Sequence, residues 1–367
     1  MFESVFYNKK VLVTGHTGFK GSWLCAWLTH IGAEVVGLSD DLVSNPSNYV
    51  ASSVSDFIKD YRLDIRDTKK IATLIKDIQP DFVFHLAAQA LVRPSYESPI
   101  ETFTTNAIGT ANVLDALRSI EKKVVAIMIT SDKAYDNVEW VWGYRETDRL
   151  GGKDPYSASK GMAELIIRSY VDSFFNSPSS NIRVGITRAG NVIGGGDWAV
   201  DRIVPDCMKA WANGEMVDIR SPHATRPWQH VLEPLSGYLC LAENLYLHSK
   251  NHGEAYNFGP SINQNYPVSQ LINEMSKYWD KIKWNDVSKH EGHVHEAGLL
   301  KLNCDKALFD LEWNSTLQFE ETVKMTVDWY KEYYQNPAQS MHDFTIKQIE
   351  SYTKAAKLNN IYWANND

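Results

Sequence analysis

Tyr156 and Lys160 stand four residues apart in Tyr156-Ser157-Ala158-Ser159-Lys160, a spacing that puts both side chains on one face of a helix. An ammonium beside a phenol favours the phenolate and lowers the phenol's pKa. Bringing a phenol from its ordinary value near 10 to one usable as a base at neutral pH takes roughly 4 kcal/mol. A second element, Thr130-Ser131-Asp132-Lys133, adds a hydroxyl, an acid and an amine. Oxidising an alcohol needs only the tyrosine, the lysine and a hydroxyl. The extra carboxyl of Asp132 points to a second chemical step, such as loss of water. Singly, each residue has an ordinary structural use: helix-end aromatic, solvated charge, strand-end turn former. Their joint presence is what points to chemistry.

An oxidation needs an electron acceptor, and the N-terminal segment offers a place for one. Val11-Leu12-Val13-Thr14 reads as a short apolar strand and Ser22-Trp23-Leu24-Cys25-Ala26-Trp27-Leu28 as a helix. Between them Gly15, Gly18 and Gly21 recur every three residues, with Thr17, Phe19 and Lys20 filling the turn. Glycines let a backbone approach a pyrophosphate, and a helix N-terminus stabilises its charge. A second strand, Glu34-Val35-Val36-Gly37-Leu38, leads to Asp40, 25 residues after Gly15. An acid there suits a ribose 2′-hydroxyl. No arginine adjoins it to favour a 2′-phosphate, so NAD is expected rather than NADP.

The elements that must position these groups alternate along the first half. Residues 81–86, 124–129 and 184–187 are continuous apolar runs of the buried parallel-strand kind. Residues 68–78, 106–120 and 159–175 read as helices. Such alternation predicts an α/β fold with a Rossmann-type doubly wound parallel sheet, ligands lying at the carboxyl ends of its strands. His85-Leu86-Ala87-Ala88-Gln89 and Thr130–Lys133 both stand at such ends. A glycine-rich break at 190–196 and a looser pattern beyond it suggest a smaller, mainly C-terminal substrate-binding domain. The expected boundaries are 1–188 and 225–257 for the NAD-binding domain and 189–224 and 258–345 for the smaller one. A polar tail at 346–367 carries no functional signal.

The chain has 367 residues, 44% of them hydrophobic, enough for this arrangement. Its net charge of −8, with both signs interspersed, argues against a nucleic-acid surface. No apolar run approaches the roughly 20 residues needed to cross a bilayer. The opening MFESVFYNKK has no signal-peptide core. Cys25, Cys207, Cys240 and Cys304 are scattered and match no metal spacing. A cytoplasmic protein with reduced thiols and no membrane association is expected. His290, Glu291, His293, His295 and Glu296 cluster, but with no second cluster at ligand spacing. They read as a loop near the substrate, and no metal is expected.

The whole pattern resembles the extended short-chain dehydrogenase/reductase family. The resemblance rests on GHTGFKG, HLAAQ, TSDKAY and YSASK. Within that family Glu139-Trp140-Val141-Trp142-Gly143-Tyr144-Arg145, residues 151–160, residues 188–198 and Arg226-Pro227-Trp228-Gln229-His230-Val231 are similar to the nucleotide-sugar 4,6-dehydratases. Many of these have Asp-Glu where this chain has Asp132-Lys133. Members acting on CDP-D-glucose have lysine. So do the inverting UDP-N-acetylglucosamine enzymes, whose acid and tyrosine lie much closer together. Here 24 residues separate Asp132 from Tyr156, which favours the CDP-glucose branch.

The resemblance implies three steps on one sugar nucleotide: C4 oxidation, loss of water across C5 and C6, and C6 reduction. Tyr156, Lys160, Ser131, Asp132 and Lys133 form the implied catalytic set. Asp64, Ile65, Leu86, Ala87, Ala88 and Asn106 join the glycine loop and Asp40 as implied cofactor contacts, although an asparagine such as Asn106 also suits a helix cap. Gln89, Arg93, Asn191, Arg202, Arg226 and His230 are the implied substrate contacts, Arg226 on the diphosphate. A homodimer through helices 106–120 and 159–175 is implied, with Met162, Ile166 and Tyr170 as a second apolar stripe. Bacterial deoxysugar synthesis of the O-antigen type is the implied setting. The alternatives are another sugar-nucleotide dehydratase, a 4-epimerase, or an NAD-binding sensor without catalysis. An epimerase dispenses with Asp132 and a sensor with Tyr156 and Lys160, yet all three residues are present.

Overall fold

A computed structural model of the chain describes residues 2–280, 282–288 and 299–365. The histidine-rich cluster at 290–296 lies outside the described residues. Seven strands form one parallel sheet: β1 (Lys10–Thr14), β2 (Glu34–Ser39), β3 (Lys59–Arg62), β4 (Phe82–His85), β5 (Val124–Ile129), β6 (Ile182–Arg188) and β7 (Ala255–Asn257). Their order is β7-β6-β5-β4-β1-β2-β3, and every neighbouring pair is parallel. The order reverses at β1/β4, where α/β sheets of this kind open a crevice for ligands. β1, β4 and β5 are buried almost end to end, which explains why they read as unbroken apolar runs. β3 was invisible for the opposite reason. Its four residues, Lys59-Asp60-Tyr61-Arg62, are all exposed on the sheet edge, so they carry no apolar signature.

Helices cover both faces, and two hydrophobic clusters lie on opposite sides of the sheet. Leu12, Val83, Val113 and Val184 belong to one; Val11, Phe84, Trp27 and Leu239 belong to the other. Helix α1 (Phe19–His30) follows β1, α2 (Thr68–Ile78) spans the residues its period indicated, and α3 (Gly109–Leu117) packs on α2. Helical structure before α3 begins earlier than expected, at Pro99, and passes through a wider turn at Thr104–Ile108. Helix α4 (Pro155–Tyr170) also begins earlier, because Asp154 accepts the Ser157 N–H at 2.9 Å and Pro155 fills the first turn. Helix α5 (Leu232–Leu247) lies against β5 and β6.

The polar tail proves to be structural. Helix His342–Leu358 packs on α1 and buries Ile349, Tyr352 and Ala356. The Trp363 ring lies parallel to Phe2 at 5.0 Å and to Tyr352 at 5.9 Å. Its apolar positions recur at helical spacing between many polar ones, so composition alone concealed them.

Candidate active site

Two sets of residues meet at the carboxyl ends of β1, β4 and β5. The first is the glycine turn. A Cβ on Gly21 would lie 2.2 Å from the Gly15 carbonyl oxygen, so the first turn of α1 closes on the loop only with glycine there. Gly18 occupies the N-cap without a side-chain cap bond. The loop is braced by Thr17, whose Oγ1 donates to Asp41 O at 2.8 Å. Beneath it His85 joins β4 to its neighbours: Nδ1 meets Thr14 Oγ1 at 2.8 Å and Nε2 meets Thr110 Oγ1 at 3.0 Å. Burial pushes this imidazole down to about 3, so it stays neutral.

The second set is the reacting end. Beyond β5 the chain turns at Asp132–Ala134. This turn supplies the bend that lets the adjacent side chains of Asp132 and Lys133 both line the cleft, where a straight strand would send them to opposite faces. Ser131 Oγ donates to Asp132 Oδ1 at 3.0 Å, and the Lys133 N–H donates to Ser131 Oγ at 3.2 Å. Gly190 makes room for the carboxylate: a Cβ there would lie 1.9 Å from Asp132 Oδ2. Tyr156 and Lys160 come from the first turns of α4, both nearly buried.

Electrostatics here depart from expectation. Burial raises the Tyr156 phenol above its ordinary value; the Ser131 hydrogen bond opposes this, Asp132 reinforces it, and the charge of Arg202 opposes it. Arg202 is the cation among these influences. Lys160 is itself drawn down to about 8 by burial, against the support of Glu164 one turn along. Burial of the phenol thus opposes the lowering that the spacing predicts. Lys20 is likewise pushed down to about 8, by burial first and then by Arg202, with Asp132 opposing.

Every candidate catalytic, cofactor and substrate residue, except Asn106 and His230, lines one cleft of about 1130 Å³. Asn106 lies inside a helical run rather than at its start, so it is no cap. Its Oδ1 accepts the Gln89 N–H at 2.8 Å, and its Nδ2 donates to Gln89 O at 2.9 Å and Ser159 Oγ at 2.8 Å. It fastens the loop after β4 to α4. His230 is corrected outright as a substrate contact. It is fully buried, packs edge-on to Trp23 at 5.9 Å, and is held near 3 by burial. Gln89 lines the cleft, but its carboxamide is committed to Thr102 and the Leu91 N–H. Asp40 is exposed beside the loop, its Oδ1 accepting the Asp41 N–H at 2.9 Å. Arg66 grips Asp64 and reaches Glu101 at 3.2 Å, which holds the Asp64 carboxyl below its usual range. Ile65 is buried between this pair and α3, its carbonyl accepting Asn112 Nδ2 at 2.9 Å. Arg202 pairs with Asp197 at 2.8 Å, and Arg226 donates to Thr225 O at 2.8 Å.

Sequence reasoning missed the brace behind the site. Arg188, at the end of β6, and Glu164, on α4, form a bidentate pair that is almost wholly buried, with Arg188 Nε 2.6 Å from Glu164 Oε1. Thr130 Oγ1 donates to the same carboxylate at 2.7 Å, and Arg188 Nη1 to Tyr135 OH at 2.7 Å. The available signal was a lone arginine closing an apolar strand.

A model of the family described as GDP-mannose 4,6 dehydratase matches residues 12–326. The chain belongs to this family. It is 46% identical over 334 residues to CDP-glucose 4,6-dehydratase of Salmonella typhimurium, covering 90% of this chain and 92% of that protein. It is 24% identical to dTDP-D-glucose 4,6-dehydratase of Dictyostelium discoideum, over 89% of this chain and 82% of the relative. Among solved structures, a UDP-glucose-4-epimerase from Stenotrophomonas maltophila superposes with a TM-score of 0.76 at 19% identity, covering 90% of this chain and 100% of that one. Such neighbours establish the shared Rossmann-type fold.

Like the family model, the cleft takes in both ends of the site, from the glycine turn at Gly15 to Arg226. Among the described residues no group of histidine, cysteine, aspartate and glutamate is placed to hold a metal, and no helix is long and apolar enough to cross a membrane.

Proposed function

We propose that the chain converts CDP-D-glucose to CDP-4-dehydro-6-deoxy-D-glucose and water, a dehydratase reaction of bacterial deoxysugar biosynthesis. The observation that carries this reading is the near-full-length 46% identity to a CDP-glucose 4,6-dehydratase, in a chain whose acid, amine and phenol share one cleft. The residues fit NAD: the Gly15–Gly21 turn leaves space that any Cβ at Gly21 would fill, and Asp40 lies at the end of β2 for a ribose hydroxyl. Bound NAD supplies the acceptor for the C4 hydrogen and its donor at C6.

The chain's own groups move the protons. Tyr156 takes the proton of the 4-hydroxyl, with Ser131 hydrogen-bonded to the phenol. The resulting ketone acidifies C5–H, since the carbanion delocalises onto the carbonyl oxygen. Lys133 takes that proton or stabilises the enolate, and Asp132 protonates the departing 6-hydroxyl, so one water leaves. C5 takes a proton from solvent when C6 is reduced, so the two protons given up at the 4-hydroxyl and C5 balance the two consumed. Arg226 is assigned to the diphosphate. The cytoplasm is the assigned location. A homodimer is supported by exposed apolar residues on α4 and on the wider turn before α3. Of the stripe Met162, Ile166 and Tyr170 only Met162 is exposed, the other two being half-buried against the chain's own core, but Ile108 and Leu165 are 50% and 61% exposed. Sedimentation that finds a monomer at micromolar concentration contradicts the dimer.

A panel of CDP-, dTDP-, GDP- and UDP-glucose tests the substrate. CDP-glucose is expected to be turned over with a kcat/KM at least about tenfold above the others, a difference of one properly read base. Comparable turnover of any other sugar nucleotide overturns the base assignment while leaving the reaction class standing.

A further inference from the structure

Three charged groups from separate segments meet in the lining of the cleft. Arg93 belongs to helix Val92–Glu97, which follows β4, and its Nη1 lies 2.7 Å from Asp201 Oδ1. Arg220, just past the short strand Val217–Ile219, brings its Nη2 to 4.0 Å from the same oxygen. All three residues line the cleft. Asp201 itself sits in the left-handed region, with φ of 60°. That conformation is costly for a residue with a Cβ and collects at ligand clamps and switches.

The arrangement is poorly matched as a permanent structure. One carboxylate oxygen serves two guanidiniums, each of which is shaped to grip two oxygens. Arg93, Asp201 and Arg220 are 51%, 39% and 36% exposed, and ion pairs this open to water contribute little to stability. Asp197 and Asp206 lie on the same segment; burial first, then the charges of Asp201 and Asp197, push the Asp206 carboxyl upward, with Lys209 opposing. The loop therefore gathers negative charge next to two arginines carried by separate elements. An anion with more charge and more oxygens than a carboxylate fits between those arginines better than Asp201 does.

Resting on the reading of this cleft as a nucleotide-sugar site, we propose that Asp201 is a resident stand-in for the diphosphate. It holds Arg93 and Arg220 together, and the diphosphate of the incoming sugar nucleotide displaces it and takes both guanidiniums. Arg220 thereby becomes a diphosphate ligand, and Asp201 a competitor that sets affinity.

Binding of CDP and of cytidine to the full-length, NAD-supplemented protein tests this by calorimetry. Arg220→Gln is expected to weaken CDP about tenfold while cytidine changes less than about twofold, since only the phosphates meet the guanidinium. Asp201→Asn is expected to tighten CDP about fivefold, because the competing charge is removed. Arg220→Lys, which keeps the charge and loses the fork, is expected to fall between wild type and Arg220→Gln. CDP binding that weakens in Asp201→Asn, or that is unchanged in Arg220→Gln, overturns the proposal. A wild-type protein that binds neither CDP nor CDP-glucose sinks the functional reading instead. Inorganic pyrophosphate, titrated into the same proteins, then decides the clamp separately by the same pattern.

Discussion

Lys133 places a single amine directly after the acid Asp132, just beyond the end of β5, and its assignment to elimination has a distinct signature. Lys133→Met is expected to transfer hydride from C4 normally, seen as NADH absorbance on adding CDP-glucose, and then to stall. The 6-deoxy product should fall about 100-fold or more, the usual scale for removing one acid–base group. Exchange of C5 hydrogen with deuterated water should slow alongside it. Near-normal product formation shows that Lys133 is dispensable for elimination, and loss of the first NADH signal moves it to binding or oxidation. Residue types and spacing revealed Tyr156, Lys160, Ser131, Asp132 and Lys133 because they are close in sequence. The charge that acts on Tyr156 was not legible. Arg202 reaches it from 46 positions away, through space that no local pattern encodes.

Between elements, the site depends on what joins β5, β6 and α4. Thr130, Glu164, Arg188 and Tyr135 tie these three together behind the catalytic groups. Glu164→Gln leaves the Arg188 charge buried without its carboxylate and is expected to cost about 3–5 kcal/mol of unfolding free energy. The Glu164→Met, Arg188→Leu double variant removes both charges and is expected to be milder than the single one. Urea denaturation of the three proteins decides this, and a single variant as stable as wild type contradicts it. The strands that make up this sheet were readable wherever both faces are buried, as in β4 and β5, because burial forces apolar runs. Element starts were less so. Asp154 and Pro155 set the beginning of α4 through a cap, and a search for apolar periodicity passes over both.

Across the whole molecule, buried neutral histidines link stability to pH. His85 and His230 are held near 3 by burial and titrate near 6.5 once unfolded. Between those values the unfolded chain binds more protons, so stability is lost as pH falls below about 6.5. Glu233 works the other way. Burial raises it to about 7, so its folded form holds a proton that the unfolded form lacks between about 4.5 and 7, which favours folding toward acid. Burial also lowers His16, His252 and His342 and raises Glu146 and Glu243. The lowered rings thus outnumber the raised glutamates and stability is lost toward acid, each ring contributing at most about 1.4 kcal/mol per pH unit below about 6. Urea midpoints measured from pH 7.5 to 5 should decline, and His230→Gln should flatten the slope by about one proton. A midpoint that rises across that range contradicts the burial of these rings. Sequence showed neither effect, since a histidine in PWQHV reads as a surface or substrate group until the fold encloses it.

The central claim is that one cleft oxidises, dehydrates and reduces the same sugar without releasing it. CDP-glucose deuterated at C4, incubated with the protein and NAD in ordinary water, tests this directly. The deuterium is expected at C6 of the 4-keto-6-deoxy product, with hydrogen at C5 drawn from solvent, as NMR and mass spectrometry of the product will read. Deuterium retained at C4 in a C4 epimer, or lost from the product while unlabelled hydrogen enters C6, contradicts the account.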